Sequence, residues 1–282
     1  AIATGTPSLP DLVAGGTYKK QNGSPVVISP ISGETTAIRL LVAATGPMKT
    51  ALVLTFTGSP VIDWGDGTTT TPTNNVSEVH QYDGANPIPC GRPWGVYLIT
   101  IIGGAITAIS SSNSVSDWGS LIGNIISIAI KSPSITGLST LLRSSGGTTP
   151  INYLAENIYY DVPALTNGTF LLNGSNAIKS FHIKTNSAVS SMSPGQAIPG
   201  IQLLDFSQTK ISGDFYGPSY FPGLTSILFN SSNTELGNVN VQYNSLSVAG
   251  FVALFNSLPT VTAKTIQIGG SAAALSLTAG QL

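Results

Sequence analysis

Apolar phrases return at a fixed interval through the second half of this chain. Ile178, Ile201 and Leu224 open three of them, each 23 residues after the last, and Leu154 stands 24 residues before the first. The phrases read Ile178-Lys179-Ser180-Phe181-His182-Ile183, Ile201-Gln202-Leu203-Leu204-Asp205-Phe206 and Leu224-Thr225-Ser226-Ile227-Leu228-Phe229. Ile125-Ile126-Ser127-Ile128-Ala129-Ile130 has the same texture, and Ser, Asn, Gly and Pro fill the intervals. A unit this short has too little apolar surface to hold itself together, so it must stack on its neighbours. The spacing predicts strands at 126–130, 178–183, 203–206, 225–229 and 265–268, side by side and parallel.

Composition narrows the classes of function. Charged residues are 8% of the 282, against about 25% in an ordinary soluble domain. The formal net charge of −1 offers no electrostatic footprint for nucleic acid or for an acidic membrane surface. A surface solvated by hydroxyls and amides is common in virion fibres and bacterial surface layers. No apolar run reaches the ~18–20 residues that span a bilayer. The longest candidate, Ile38 to Ala44, carries Arg39 and has the character of a strand. A single cysteine, Cys90, excludes an internal disulfide.

The segment Val61-Ile62-Asp63-Trp64-Gly65-Asp66-Gly67-Thr68 describes a strand entering a tight acidic turn. Glycine takes φ > 0 without a Cβ clash, and aspartate bonds nearby backbone N–H groups. Downstream come His80-Gln81-Tyr82 and the strand Gly95-Val96-Tyr97-Leu98-Ile99-Thr100-Ile101. Together these resemble the polycystic-kidney-disease (PKD) type of immunoglobulin-like β-sandwich over roughly residues 36–103. The resemblance implies an extracellular, non-catalytic module. Strands are expected near 37–44, 51–57, 60–64, 77–82 and 96–102, with the proline-rich stretch 83–94 as a loop. Residues 1–35, with four prolines, read as an extended arm.

Within the expected solenoid region 104–282, roughly residues 104–270 resemble the leucine-rich-repeat-like solenoids of bacterial and phage surface proteins, although no full L-x-x-L-x-L-x-x-N string is present. One helix is expected: Ser247 caps it, Val248, Phe251, Val252, Phe255 and Leu258 form its apolar face, and Pro259 stops it. The expected fold class is mainly β: a PKD/Ig-like β-sandwich, then a parallel β-solenoid of leucine-rich-repeat type with few short helices.

The site candidates have competing readings. Asp63 and Asp66, joined by Asp83 through the fold, are the acids that Ca²⁺ could use, but the ion needs six or more oxygens. A self-bonded acidic turn is the preferred alternative, and no cofactor is expected. His80 and Cys90 would need direct contact, an orienting group and an oxyanion donor to act as a thiolate–imidazole pair; His80 is read as a packing histidine. His182 falls in an expected strand, and Asp205 and Asp214 are too isolated in sequence to form an acid/base pair. The corner loop 214–223 carries Tyr216, Tyr220 and Phe221, which with Trp94 are candidates for contact with a glycan or a protein. The competing reading places these rings in the solenoid interior. There is no Gly-rich phosphate loop, C-x-x-C pair or H-E-x-x-H.

The function expected is that of a non-enzymatic structural subunit of an extracellular filament, fibre, or virion or cell-surface coat. A receptor- or glycan-binding adhesin is the alternative. Copies of the chain itself are the first expected partner, because both ends, Ala1–Gly5 and Ala272–Leu282, are apolar and the arm can lie along a neighbour's strand edge. Neither nucleic acid nor a membrane span is expected.

Overall fold

The computed structural model describes residues 28, 33–43, 48–84, 88, 95–111, 125–138, 157–165, 178–189, 198–211, 213–217, 221–233, 236–260 and 264–270. The fold is mainly β. The first strands are β1 (Ala37–Ala43), β2 (Met48–Thr57), β3 (Val61–Asp63), β4 (Thr69–Thr70), β5 (Ser77–Tyr82), β6 (Val96–Ile102) and β7 (Ala105–Ser111). Then come β8 (Ile125–Lys131), β9 (Gly137–Leu138), β10 (Asn157–Asp161), β11 (Ser180–Val189), β12 (Leu203–Ile211), β13 (Gly213–Tyr216), β14 (Ser226–Leu228) and β15 (Leu236–Asn240). The helix α1 (Val248–Ser257) and β16 (Ile266–Gln267) follow.

Nine strands form one sheet in the order β14-β12-β11-β10-β8-β1-β6-β3-β4. Its first-half strands pair antiparallel, β1 with β6 and β3 with β6 and β4. Its second-half strands are parallel, from β8 through β10, β11 and β12 to β14. The change of sense falls at β8, which pairs antiparallel with β1 from Ala37↔Lys131 to Val42↔Ile125. The regions expected at 36–103 and 104–282 thus share one sheet. A second sheet, β5-β2-β7-β9, faces the first across a common core, an arrangement that fits a β-sandwich. Within it β7, which starts just past residue 103, pairs with β2.

β1 and β6 read as near-continuous apolar runs because both of their faces are covered. One face joins the main core with Trp64, Tyr97 and the solenoid interior. The reverse face, with Leu41, Ala43, Val96, Leu98, Ile126 and Ala129, is covered by Ile28 and Ile88. Both covering residues come from the proline-rich stretches. Glu34 also pairs with the Arg39 guanidinium, so at these points the N-terminal segment lies on its own sheet.

The parallel half is a β-solenoid of about three turns. Cross-strand partners Asn157, Ser180, Leu203 and Ser226 follow at the 23-residue interval. Each coil adds a ring to an interior row, Tyr160, Phe181, Phe206 and Phe229, with centroids 6.1–6.2 Å apart. Corners are β-turns with proline second: Ile198-Pro199-Gly200-Ile201 and Phe221-Pro222-Gly223-Leu224, each closed by an N–H from its fourth residue to the carbonyl of its first. The corners stack so closely that a Cβ on Gly223 would lie 2.1 Å from the Pro199 carbonyl oxygen.

Four of the five expected strand positions lie in the nine-stranded sheet, with β10 inserted between β8 and β11. The fifth does not: β16 belongs to a separate sheet, β13-β15-β16, on another side of the solenoid. The coil before it departs from the repeat because residues 248–258 carry apolar side chains at helical, not alternating, spacing. α1 forms there, with the Ser247 side chain accepting from the Gly250 N–H. It packs beside β14, and Ser257 Oγ accepts the Phe229 N–H at 3.0 Å. The helix therefore covers the edge of the large sheet.

Buried polar side chains tie successive coils together. Thr209 Oγ1 donates to the Ile183 carbonyl at 2.9 Å and Asn233 Nδ2 to the Ile211 carbonyl at 2.8 Å. Asn244 Nδ2 likewise donates to the Phe221 carbonyl at 2.5 Å. Asn233 is fully buried, so its removal strands a carbonyl away from water. Asn233→Ala is expected to cost about 1–3 kcal/mol in urea unfolding, while the exposed Ser232→Ala changes stability by less than about 0.5 kcal/mol.

Candidate functional site

Two clusters, one in each half, put an aromatic ring, a histidine and an aspartate in contact. The first is built on the acidic turn after β3. Asp63 Oδ1 accepts the Gly65 N–H at 2.9 Å. Gly65 has φ +84°, and a Cβ there would lie 2.5 Å from the Leu98 carbonyl oxygen, so the turn requires glycine. Asp66 is 6% exposed. Its Oδ1 accepts the Thr68 N–H at 3.0 Å and the Thr68 hydroxyl at 2.7 Å, and its Oδ2 accepts His80 Nε2–H at 2.9 Å.

The His80 ring stacks on Trp64 with centroids 4.7 Å apart and meets Tyr82 edge-on at 4.7 Å. Tyr82 in turn stacks on Tyr97 and donates its hydroxyl to the Trp64 carbonyl at 2.9 Å. Burial acts to raise the Asp66 pKa, but hydrogen bonds from Thr68 and His80 outweigh it, and the carboxyl is held below its ordinary value. Burial, with the negative charges of Asp66 and Asp83, pushes the Tyr97 phenol up to about 12. The network fixes one turn geometry with a buried anion at its centre.

That engagement bears on the Ca²⁺ candidates. Both oxygens of Asp66 and one of Asp63 already accept hydrogen bonds within the turn, and Asp83 is exposed at the end of β5. Among the described residues no group of three or more His, Cys, Asp or Glu is placed to hold a metal ion. The partner of His80 is Asp66, while Cys90 lies outside the described residues.

The second cluster lies on the face of the parallel sheet opposite the core. Ile158, Phe181 and Leu204 point inward, so period-two alternation places Tyr159, His182 and Asp205 on the other face in one cross-strand row. Tyr159 and His182 stack at 4.4 Å, their planes only 4° from parallel. His182 Nδ1–H donates to Asp205 Oδ2 at 2.6 Å, and Asp205 Oδ1 accepts the Ser207 N–H and hydroxyl. Burial again raises, but the bonds from His182 and Ser207 prevail and hold Asp205 at about 2. Lys184 and Asp161 form a looser pair at 3.7 Å in the neighbouring row.

Ser207 bonds the aspartate and not the histidine, so the order of contacts differs from a nucleophile–base–acid relay, in which the histidine contacts the nucleophile. Sequence reasoning treated Asp205 as isolated. The 23-residue interval from His182 was the signal that places the two side by side.

Of the aromatic candidates, Phe221 is a correction. It is 1% exposed and stacks on Phe215 at 5.8 Å inside the core, so it packs the corner and cannot meet a ligand. Tyr216 ends β13 in register with Asn240. Its side chain, and all of Tyr220 and Trp94, lie outside the described residues.

Comparisons with protein-family models, with curated proteins and with solved structures return no match. The sites therefore rest on their own chemistry. If the acidic turn is held by its hydrogen bonds alone, Asp66→Ala costs about 1.5–3 kcal/mol and EDTA leaves the melting temperature of the unmodified chain unchanged. A drop of many degrees on chelation would reveal a bound cation that stabilises the native state by mass action.

Proposed function

We propose that this chain is a non-enzymatic structural subunit of an extracellular or virion-surface assembly, joined to copies of itself in a filament, fibre or coat. The observation that carries this reading is the β1–β8 pairing, which makes a sandwich-like half and a solenoid half into one sheet. Backbone hydrogen bonds across such a seam resist bending, whereas a linker would leave two bodies free to move. A rigid element of this kind suits a load-bearing or spacing role.

Three further features support the reading. The W-G-D-G-T turn and the stacked Trp64, His80, Tyr82 and Tyr97 fit a PKD-like module of surface proteins. The low proportion of charged residues weakens the repulsion that keeps subunits apart. Both aromatic–His–Asp clusters have their carboxylates engaged in holding local structure, which suits a scaffold better than a reaction centre.

Sedimentation velocity and negative-stain microscopy of the full chain at rising concentration test the proposal. Discrete oligomers or filaments are expected, and their formation should change little with added salt because few charges are available to screen. A monomer at every concentration would overturn it.

A further inference from the structure

Tyr243 is out of keeping with its position. It follows β15 in a turn beside the segment 266–270, with φ +56° and 70% of its surface exposed. A bulky residue with positive φ is a conformational outlier, and such outliers are retained where surrounding structure or function holds them. The other described non-glycine residue with positive φ is Asn75, a type that tolerates it. An exposed turn would be served at less cost by asparagine or glycine.

The ring is held in place. Its neighbour is Gly270, where a Cβ would lie 2.2 Å from Tyr243 Cε1, so only glycine lets the phenol rest on the next coil. The Tyr243 N–H donates to the Gly269 carbonyl at 3.1 Å, which fixes the backbone beneath it.

Amides surround it. Asn240 Nδ2 donates to Gln267 Oε1 at 2.7 Å, and Asn240 Oδ1 accepts the Gln242 N–H at 3.0 Å. These bonds occupy Asn240 and leave the side-chain NH₂ groups of Gln242 and Gln267 without an acceptor among the described residues. Ile266, 42% exposed, adds apolar surface. Residues 240–243 and 266–270 carry no charge.

We infer that the surface formed by residues 240–243 and 266–270 is a binding site for a neutral glycan, with Tyr243 as the platform. A fixed aromatic ring offers its face to the C–H groups of a pyranose, and planar amide donors meet its hydroxyls. Within these residues no side-chain charge is available to favour sulfated or acidic sugars. Adhesion of this kind goes beyond the assembly role and does not depend on it.

The experiment is titration of the full chain with maltohexaose, cellohexaose, mannohexaose and chitohexaose, read by saturation-transfer NMR and calorimetry, alongside heparin and sialyllactose. Tyr243→Asn is the decisive variant, because asparagine accepts the backbone conformation and preserves the fold. At least one neutral oligosaccharide should bind. Tyr243→Asn should weaken it tenfold or more with the melting temperature unchanged or higher, and Tyr243→Phe should retain most of it. The site is overturned if no neutral sugar binds, if only the anionic sugars bind, or if Tyr243→Asn binds as well as the parent. It is also overturned if Tyr243→Asn lowers the melting temperature by many degrees, which makes the ring structural, or abolishes self-association, which makes it a contact between copies.

Discussion

The hydrogen-bonded pairing of β1 with β8 is the interaction on which the remainder of the molecule depends. β1 is central among antiparallel strands, and β8 is the first of a parallel stack. Joining them places the interior of the solenoid and the interior between the two facing sheets in one apolar cluster, from Ile38 and Trp64 through Phe181 to Leu254. It also creates a broad reverse face that would be exposed and apolar near β1, β6 and β8. The burial of Ile28 and Ile88 on that face answers the problem the seam creates.

Edges follow from the same arrangement, because an open sheet of nine strands has two. One is the two-residue β4, too short to template another strand. The other, β14, is covered by α1, whose Ser257 takes up the N–H of Phe229. Gly250 permits that approach, since a Cβ there would lie 2.8 Å from the Thr225 carbonyl oxygen. In the smaller solenoid sheet β16 is the edge strand among the described residues, and amides and Tyr243 are displayed there. The two sheets thus differ at these edges, one closed by a helix and one presenting polar and aromatic groups.

Much of this was legible in the sequence where local chemistry and tertiary environment agree. The 23-residue interval located the parallel strands because each coil repeats the same burial, and Ser247, Pro259 and the helical spacing between them marked α1. Strands β1, β2, β3 and β6 were readable from apolar runs bounded by Gly and Pro, and β5 from the His80-Gln81-Tyr82 pattern. Partnership across the seam was not legible: nothing in Ile125–Lys131 distinguishes a strand that pairs with β10 alone from one that also pairs with β1. The shift of β16 to another sheet was hidden because a helix of ten residues lengthens the coil to 27 between aligned positions. Phe221 was ambiguous because an aromatic in a Gly/Pro corner has the same local context whether it faces in or out. The His182–Asp205 contact required the register, which a linear reading that searches for adjacent acids does not consult.

Hydrogen exchange tests the seam most directly. If β1 and β8 join the two halves into one cooperative unit, the amides of Leu40 and Ile128 should exchange only through global opening. Their free energy should equal that of Ile99 on one side and Phe181 on the other. Opening of Leu40 and Ile128 at a much lower free energy than both flanking strands would mean two units that unfold separately, and would contradict the account.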